Sequence, residues 1–410
     1  MLLFYLLILL MAVVRHPWLS PLLGEDTMFK YLGAVCAVYA GIYVFRRRTV
    51  PPIFRTWQMR IFLVLYACAL DSYFTLGLTH YPALSYSSMA VLLLVTMTIV
   101  DTESRLRGTL IAVVASLAFA SLYVIREWQV YHTMYEGMRA AGITGDSNYF
   151  SASALVSIAV AYYLTSRQES KFVRLFAFGS LIIIMVAIML AASRGGLIGL
   201  AVAAALIAVR SRHRILASIA MPLFLAAFLF LAPNSPLDRF LHPGYGDDLA
   251  VQARKLAWTA GMRMIDTHPL FGVGLGNFKP MMSQYSDPGV TITEIAHNTY
   301  IEIAAELGIP ALLLFLALVA ATFLSLQKAR RQALELEMDL VYRAAGAMQA
   351  GLLGFAVAAV VLSAEYQKLF WLVLGISMAL PQIIDARLRM VAENQGELPA
   401  QDAVGTGVLR

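Results

Sequence analysis

The stretch FAFGSLIIIMVAIMLAASRGGLIGLAVAAALIAV, residues 176–209, places a single charged side chain, Arg194, between two long apolar runs. Of the 410 residues 60% are hydrophobic and only 14% are charged, and the mean hydropathy is +0.72, a composition no ordinary soluble domain reaches. A helical span needs about 20 mostly apolar residues, and backbone left unpaired in lipid is not tolerated, so these runs read as helices rather than barrel strands. The sequence is that of an all-α, polytopic integral membrane protein.

Marking the apolar runs predicts about twelve transmembrane helices, at 2–14, 31–45, 61–78, 82–100, 109–125, 150–165, 174–192, 195–209, 214–232, 299–326, 343–363 and 369–385. Residues 1–232 would hold helices 1–9, residues 233–298 one large periplasmic loop with an amphipathic helix, and residues 299–385 helices 10–12. Residues 386–410 form a polar tail expected to be cytoplasmic and disordered. The first run is read as a helix rather than a signal peptide, because MLLFYLLILLMAVVRHP has no basic residue before its apolar core and no small-x-small cleavage site.

Orientation follows from the 31 Lys and Arg. With the N-terminus inside, most of them fall on inner segments, as the positive-inside rule requires. The SRGG turn, the loops at 126–149 and 233–298, and the turn at 364–368 then share the outer face. The net charge of +6 is a topological signal, and nothing else supports nucleic-acid binding. Cys36 and Cys68 fall inside spans and read as small apolar residues, not as a disulfide or metal ligands. Asp71, within the third span, is either a helix-packing partner or a proton-relay residue.

The long loop is the most polar part of the apolar frame. Within VQARKLAWTAGMRMIDTHPLFGVGLGNF, residues 251–278, Leu256, Ala257, Gly261, Met264 and Ile265 lie on one side of a helix, with Arg254, Lys255 and Arg263 elsewhere. A cationic helix lying on the outer membrane surface is the expectation. GVGLGNF, residues 272–278, lacks the strand and the acidic residue of a dinucleotide fingerprint, so its glycines read as a tight, closely packed turn. Asp247 and Asp248 sit in a glycine-rich turn and read as solvated rather than as a metal site. His297 opens the tenth span beside Asn298, Tyr300, Glu302 and Glu306, and Gly308 with Pro310 can bend that span. Ionisable groups at this depth face a protein interior or a wet cavity.

Arg194, Arg254 and His297 thus come to one face from separate regions. Arginine grips phosphate with a planar fork and stays charged, and histidine accepts a proton near neutral pH. The set fits displacement of a diphosphate leaving group by a hydroxyl.

The order SRGGLIGL, ARKLAWTAGMRMIDTHPLFGVGLGNF, AHNTYIEIAAELGIPALLLFLAL resembles the O-antigen ligase and polymerase superfamily, with GDSNYFSASALVSIAVAYYL at 145–164 similar to an upstream Asp-x-Asn segment. The resemblance implies a glycosyltransferase of the bacterial inner membrane that takes a glycan from an undecaprenyl diphosphate carrier on the periplasmic face, without metal, cofactor or nucleotide sugar. It implies that Arg194 and Arg254 bind the diphosphate and that His297 deprotonates the acceptor for inverting attack. Lys255, Asn298 and Tyr300 are the flanking substrate-binding candidates. Asp146 and Asn148 lack the proline often found between them in the family, and a cap or turn is favoured there. The compact loop favours a ligase acting on lipid A core. A polymerase, a protein O-oligosaccharyltransferase and a lipid-linked sugar transporter are the alternatives.

Overall fold

The computed structural model of the chain describes residues 1–12, 27–47, 56–76, 81–134, 139–210 and 245–394. The expected span at 214–232, the start of the long loop up to residue 244 and the tail from residue 395 lie outside the described residues, as do the side chains of Asp247 and Asp248. The helices are α1 (Leu2–Leu9), α2 (Thr27–Arg47), α3 (Trp57–Leu76), α4 (Tyr81–Ile99), α5 (Glu103–Tyr131), α6 (Ser147–Leu164), α7 (Lys171–Ala191), α8 (Arg194–Arg210), α9 (Tyr245–Thr267), α10 (Phe278–Tyr285), α11 (Thr299–Glu335), α12 (Asp339–Ala358) and α13 (Lys368–Asn394). Among the described residues there is no strand.

Seven of these helices, α3, α4, α5, α7, α11, α12 and α13, are long and apolar enough to cross a membrane. The expectation of about twelve spans is therefore met only in part. Every described run is helical, but α1 with its 3₁₀ extension is described only to Ala12 and α8 over 17 residues. The last helix continues to Asn394, into the segment expected to be tail. Both Cys36 and Cys68 are free thiols, and Asp71 sits on the exposed side of α3.

Polar side chains start the helices where the apolar pattern begins. Thr102 accepts from Arg105 N–H at 3.3 Å, Ser170 from Val173 N–H at 3.3 Å, and Ser193 from Gly196 N–H at 3.2 Å. The bundle centre is α12, which packs on α6, α8 and α11. Glycine sets that spacing. A Cβ on Gly199 would stand 2.6 Å from the Gly354 carbonyl oxygen, one on Gly354 would stand 2.6 Å from the Gly199 carbonyl oxygen, and Gly351 faces the Cα of Val156. Backbones can approach this closely only where no side chain intervenes, the packing that stands in for hydrophobic drive between helices in lipid.

The bend anticipated at Gly308 is a full break. Gly308 has φ +86° and ψ 169°, and Pro310 has no N–H to return to the Glu306 carbonyl. The groups freed are taken by the chain at 269–274: Val273 N–H donates to Ala305 O at 2.8 Å, Gly274 N–H to Glu306 O at 3.0 Å, and Ile309 N–H to Pro269 O at 2.8 Å. The Glu306 carboxylate accepts from Gly276 N–H at 2.8 Å and Phe278 N–H at 3.1 Å. The segment GVGLGNF, with positive φ at Gly272, Gly274 and Gly276, therefore wraps a carboxylate of the protein's own. It is pinned to α3 by Leu275 N–H on Ser72 Oγ at 2.9 Å and Asn277 Nδ2 on Leu76 O at 2.7 Å. Irregular backbone at membrane depth is tolerated only when buried and paired in this way.

The apolar side of α9 is buried in protein. Ala257, Ala260 and Met264 close a small core with Val273, Phe278, Met282, Ala296 and Ala305. Packing against α10 and α11 satisfies the same apolar stripe that lipid would.

Two outcomes check this frame. Gly199→Leu should lower stability in detergent by about 1–3 kcal/mol, the cost of overpacking. Gly179→Leu, at a position where an added Cβ meets nothing within 4 Å, should leave the melting temperature unchanged. Glu306→Ala should orphan two N–H groups at about 1–3 kcal/mol each, read as a lower melting temperature and faster proteolysis within 268–278. An unchanged melting temperature would mean that the carboxylate does not hold this loop.

Candidate functional site

A cavity of about 290 Å³ opens where α8, α9, the start of α6 and the turn after α12 meet. Arg139, Arg194, Arg254 and Lys255 line it together with Asn148, Trp258 and the apolar Ile198, Val251 and Val361. No acidic side chain among the described residues lines it.

Each cation is placed by a local device. Arg194 is the first residue of α8, capped by Ser193, so the positive end of that helix faces the cavity alongside the guanidinium. The glycines of SRGG let this helix start close to its neighbours: a Cβ on Gly195 would stand 2.5 Å from Val361 Cγ2, and Gly196 lies against Ser151. Arg139 donates from Nη2 to Asn148 Oδ1 at 2.6 Å and from Nε to the Ala191 carbonyl at 3.4 Å, at the end of α7. Ser193 Oγ donates to the same Asn148 oxygen at 2.9 Å, so one amide braces both Arg139 and the SRGG turn. Asp146 caps α6, accepting from Asn148 N–H at 2.8 Å and Tyr149 N–H at 2.9 Å.

Arg254 and Lys255 come from α9. The Arg254 guanidinium is pushed below its ordinary pKa, chiefly by burial and then by the charge of Arg194, against the pull of Asp146. Arg194 and Asp146 therefore each lie within electrostatic reach of Arg254. Two guanidinium groups in one partly dry cavity repel, and an anion between them relieves that repulsion.

His297 lies within electrostatic reach of Arg254 and Asp146 but does not line the cavity. Its imidazole is half-buried and held below the usual histidine pKa, first by desolvation and then by the Arg254 charge, with Glu294 and Asp146 opposing. The ring is therefore neutral near pH 7. Its buried Nδ1 has no hydrogen-bond partner among the described residues. Trp258 reaches from the cavity wall to the preceding carbonyl, with Nε1 donating to Ala296 O at 2.8 Å. His297 also has φ +47°, and Ala192, at the foot of the SRGG turn, has φ +46°. Non-glycine residues in this region cost about 1–3 kcal/mol and cluster at functional sites.

The structure thus brings Arg194, Arg254 and Lys255 to one cavity and His297 to its edge. It sets Asn298 and Tyr300 elsewhere: Asn298 Oδ1 caps α11 through Tyr300 and Ile301 N–H, and Tyr300 OH donates to Ala356 O at 2.6 Å. Arg139 is the cavity residue that sequence reasoning missed. An arginine in a polar loop carries no signal of its own, although its nearness to the Asp-x-Asn segment was a usable one.

Residues 178–316 match the family model described as O-antigen ligase, a segment that includes Arg194, Arg254, Lys255 and His297. No curated protein matches the chain. The segment that supplies Arg194, Arg254, Lys255 and His297 is therefore similar to the O-antigen ligase family, within a chain whose described helices include seven long and apolar enough to cross a membrane.

Proposed function

We propose that the chain is a glycosyltransferase that moves a glycan from an undecaprenyl diphosphate carrier to an acceptor hydroxyl at the periplasmic face of the inner membrane, with lipid A core as the acceptor. The observation that carries this is the convergence of Arg139, Arg194, Arg254 and Lys255 on one cavity, with a neutral histidine at its edge.

A sugar linked to a lipid diphosphate carries two negative charges, which grow to three as the bond to the sugar breaks. In the proposed step the acceptor oxygen attacks the anomeric carbon from the face opposite the diphosphate. The C–O bond to the diphosphate breaks, the leaving oxygen keeps the electron pair, and the anomeric configuration inverts. His297 takes the acceptor proton. Arg194 and Arg254 grip the phosphates, and Arg139 and Lys255 neutralise the charge that develops. The helix N-terminus at Arg194 adds a partial positive charge at the same place. These cations supply the charge neutralisation the step needs, so the proposal includes no metal. The apolar Ile198, Val251 and Val361 give the carrier's hydrocarbon chain a side to leave by.

Purified protein, given a synthetic undecaprenyl diphosphate oligosaccharide with lipid A core, should form the ligated product. His297→Ala should lower turnover by about 10²–10⁴-fold while retaining donor binding. Arg254→Lys should lose about 10²-fold, because lysine keeps the charge but not the fork. A ladder formed from donor alone would make the acceptor a second carrier-linked glycan, and retained turnover in His297→Ala would remove the base. The acid limb of kcat/KM should fall below the ordinary histidine value of about 6.5, because the neutral ring is the active form and burial with Arg254 favours it. Arg254→Gln should move that limb upward in the residual activity. A limb unchanged by this substitution would show that the titrating group is not His297.

A further inference from the structure

The opposite end of the same helices holds a second set of arginines. Arg210 ends α8, about 24 Å from Arg194 at ~1.5 Å per residue. That approaches the ~30 Å of a hydrocarbon core, so with Arg194 at one interface α8 would carry Arg210 toward the opposite one. Arg210 donates from Nη1 to Gln349 Oε1 at 2.7 Å and from Nη2 to Gln327 Oε1 at 3.2 Å. Gln349 is fully buried, and its Nε2 donates to the same Gln327 oxygen at 3.0 Å. Arg330, near the end of α11, donates from Nη2 to Tyr342 OH at 2.6 Å and lies 4.6 Å over that ring.

The two guanidinium groups are within electrostatic reach of each other, and Tyr163 of α6 is within reach of both. Among the described residues neither forms an ion pair with a carboxylate. Arg330 Nε is buried and has no hydrogen-bond acceptor among the described residues. Two like charges held together by neutral amides and phenols, with one buried donor unmet, form an arrangement that an anion would complete. At a helix-bundle end in the interfacial zone the abundant anion is a lipid phosphate.

We infer that Arg210 and Arg330, braced by Gln327, Gln349 and Tyr342, form a binding site for the phosphate of an anionic phospholipid, on the side of the membrane opposite the catalytic cavity. The glutamines hold Arg210 in place, and the fork of Arg330 supplies the free donor. The site holds α8 to α11 and α12 at the end remote from the chemistry.

The test uses the full chain, stripped of lipid in a neutral detergent and titrated with phosphatidylglycerol, phosphatidylcholine or inorganic phosphate, with the melting temperature as readout. The wild-type protein should gain stability with phosphatidylglycerol and not with phosphatidylcholine. In the Arg210→Gln/Arg330→Gln variant the half-saturating lipid concentration should rise by roughly tenfold or more. Arg330→Lys, which keeps the charge and spares the fold, should show an intermediate rise, and Arg387→Gln, an exposed arginine of α13, should show none. An equal gain with phosphatidylcholine, or unaltered phosphatidylglycerol titration in both Arg330 variants, would overturn the site. An equal gain with inorganic phosphate alone would overturn its assignment to a lipid.

Discussion

Where α11 breaks at Gly308, two carbonyls and an N–H leave the helix ladder within a segment long and apolar enough to span a membrane. Lipid offers them nothing, so another part of the chain must. The stretch 269–278 does so, and the Glu306 carboxylate accepts two of its N–H groups in return. This exchange fixes the loop against α3 and α11. The loop in turn carries α9, whose small core rests on Val273, Phe278 and Ala305. The positions of Arg254 and Lys255 depend on that chain of contacts, although neither residue touches the break.

The same arrangement explains why the cavity can hold its cations together. A guanidinium on a free loop would drift toward water, whereas these are held by rigid parts: a capped helix start for Arg194, a helix packed on a core for Arg254, and a shared amide for Arg139. Their mutual repulsion and partial desolvation are costs that the phosphate of the proposed donor would offset by charge pairing. The positive φ at Ala192 and at His297 falls on the two short turns that deliver Arg194 and the histidine, where strain is over-determined by the packing around it.

Much of this was legible in the residues. The composition and the run lengths identify a helical membrane protein, because an apolar run can satisfy its backbone in lipid only as a helix. Gly308 and Pro310 mark the break, because one tolerates positive φ and the other lacks an N–H. SRGG marks a helix start, and the types Arg, Arg and His suggest chemistry on a diphosphate. Asn298 and Tyr300 were drawn into that chemistry by proximity in sequence, but their side chains are engaged in capping and helix packing.

What the sequence determined by itself was therefore local: which segments are helical, where they start and break, and which side chains carry charge. The tertiary structure alone decided three things. Arg139 joins the cavity through Asn148, the glycine loop closes on Glu306 rather than on a ligand, and the apolar stripe of α9 meets protein rather than lipid. The reason is the same in each case. An unpaired donor, a bare carboxylate or an apolar stripe states a need for a partner, but several partners of equal chemistry could meet it. Only the packing of distant segments selects one.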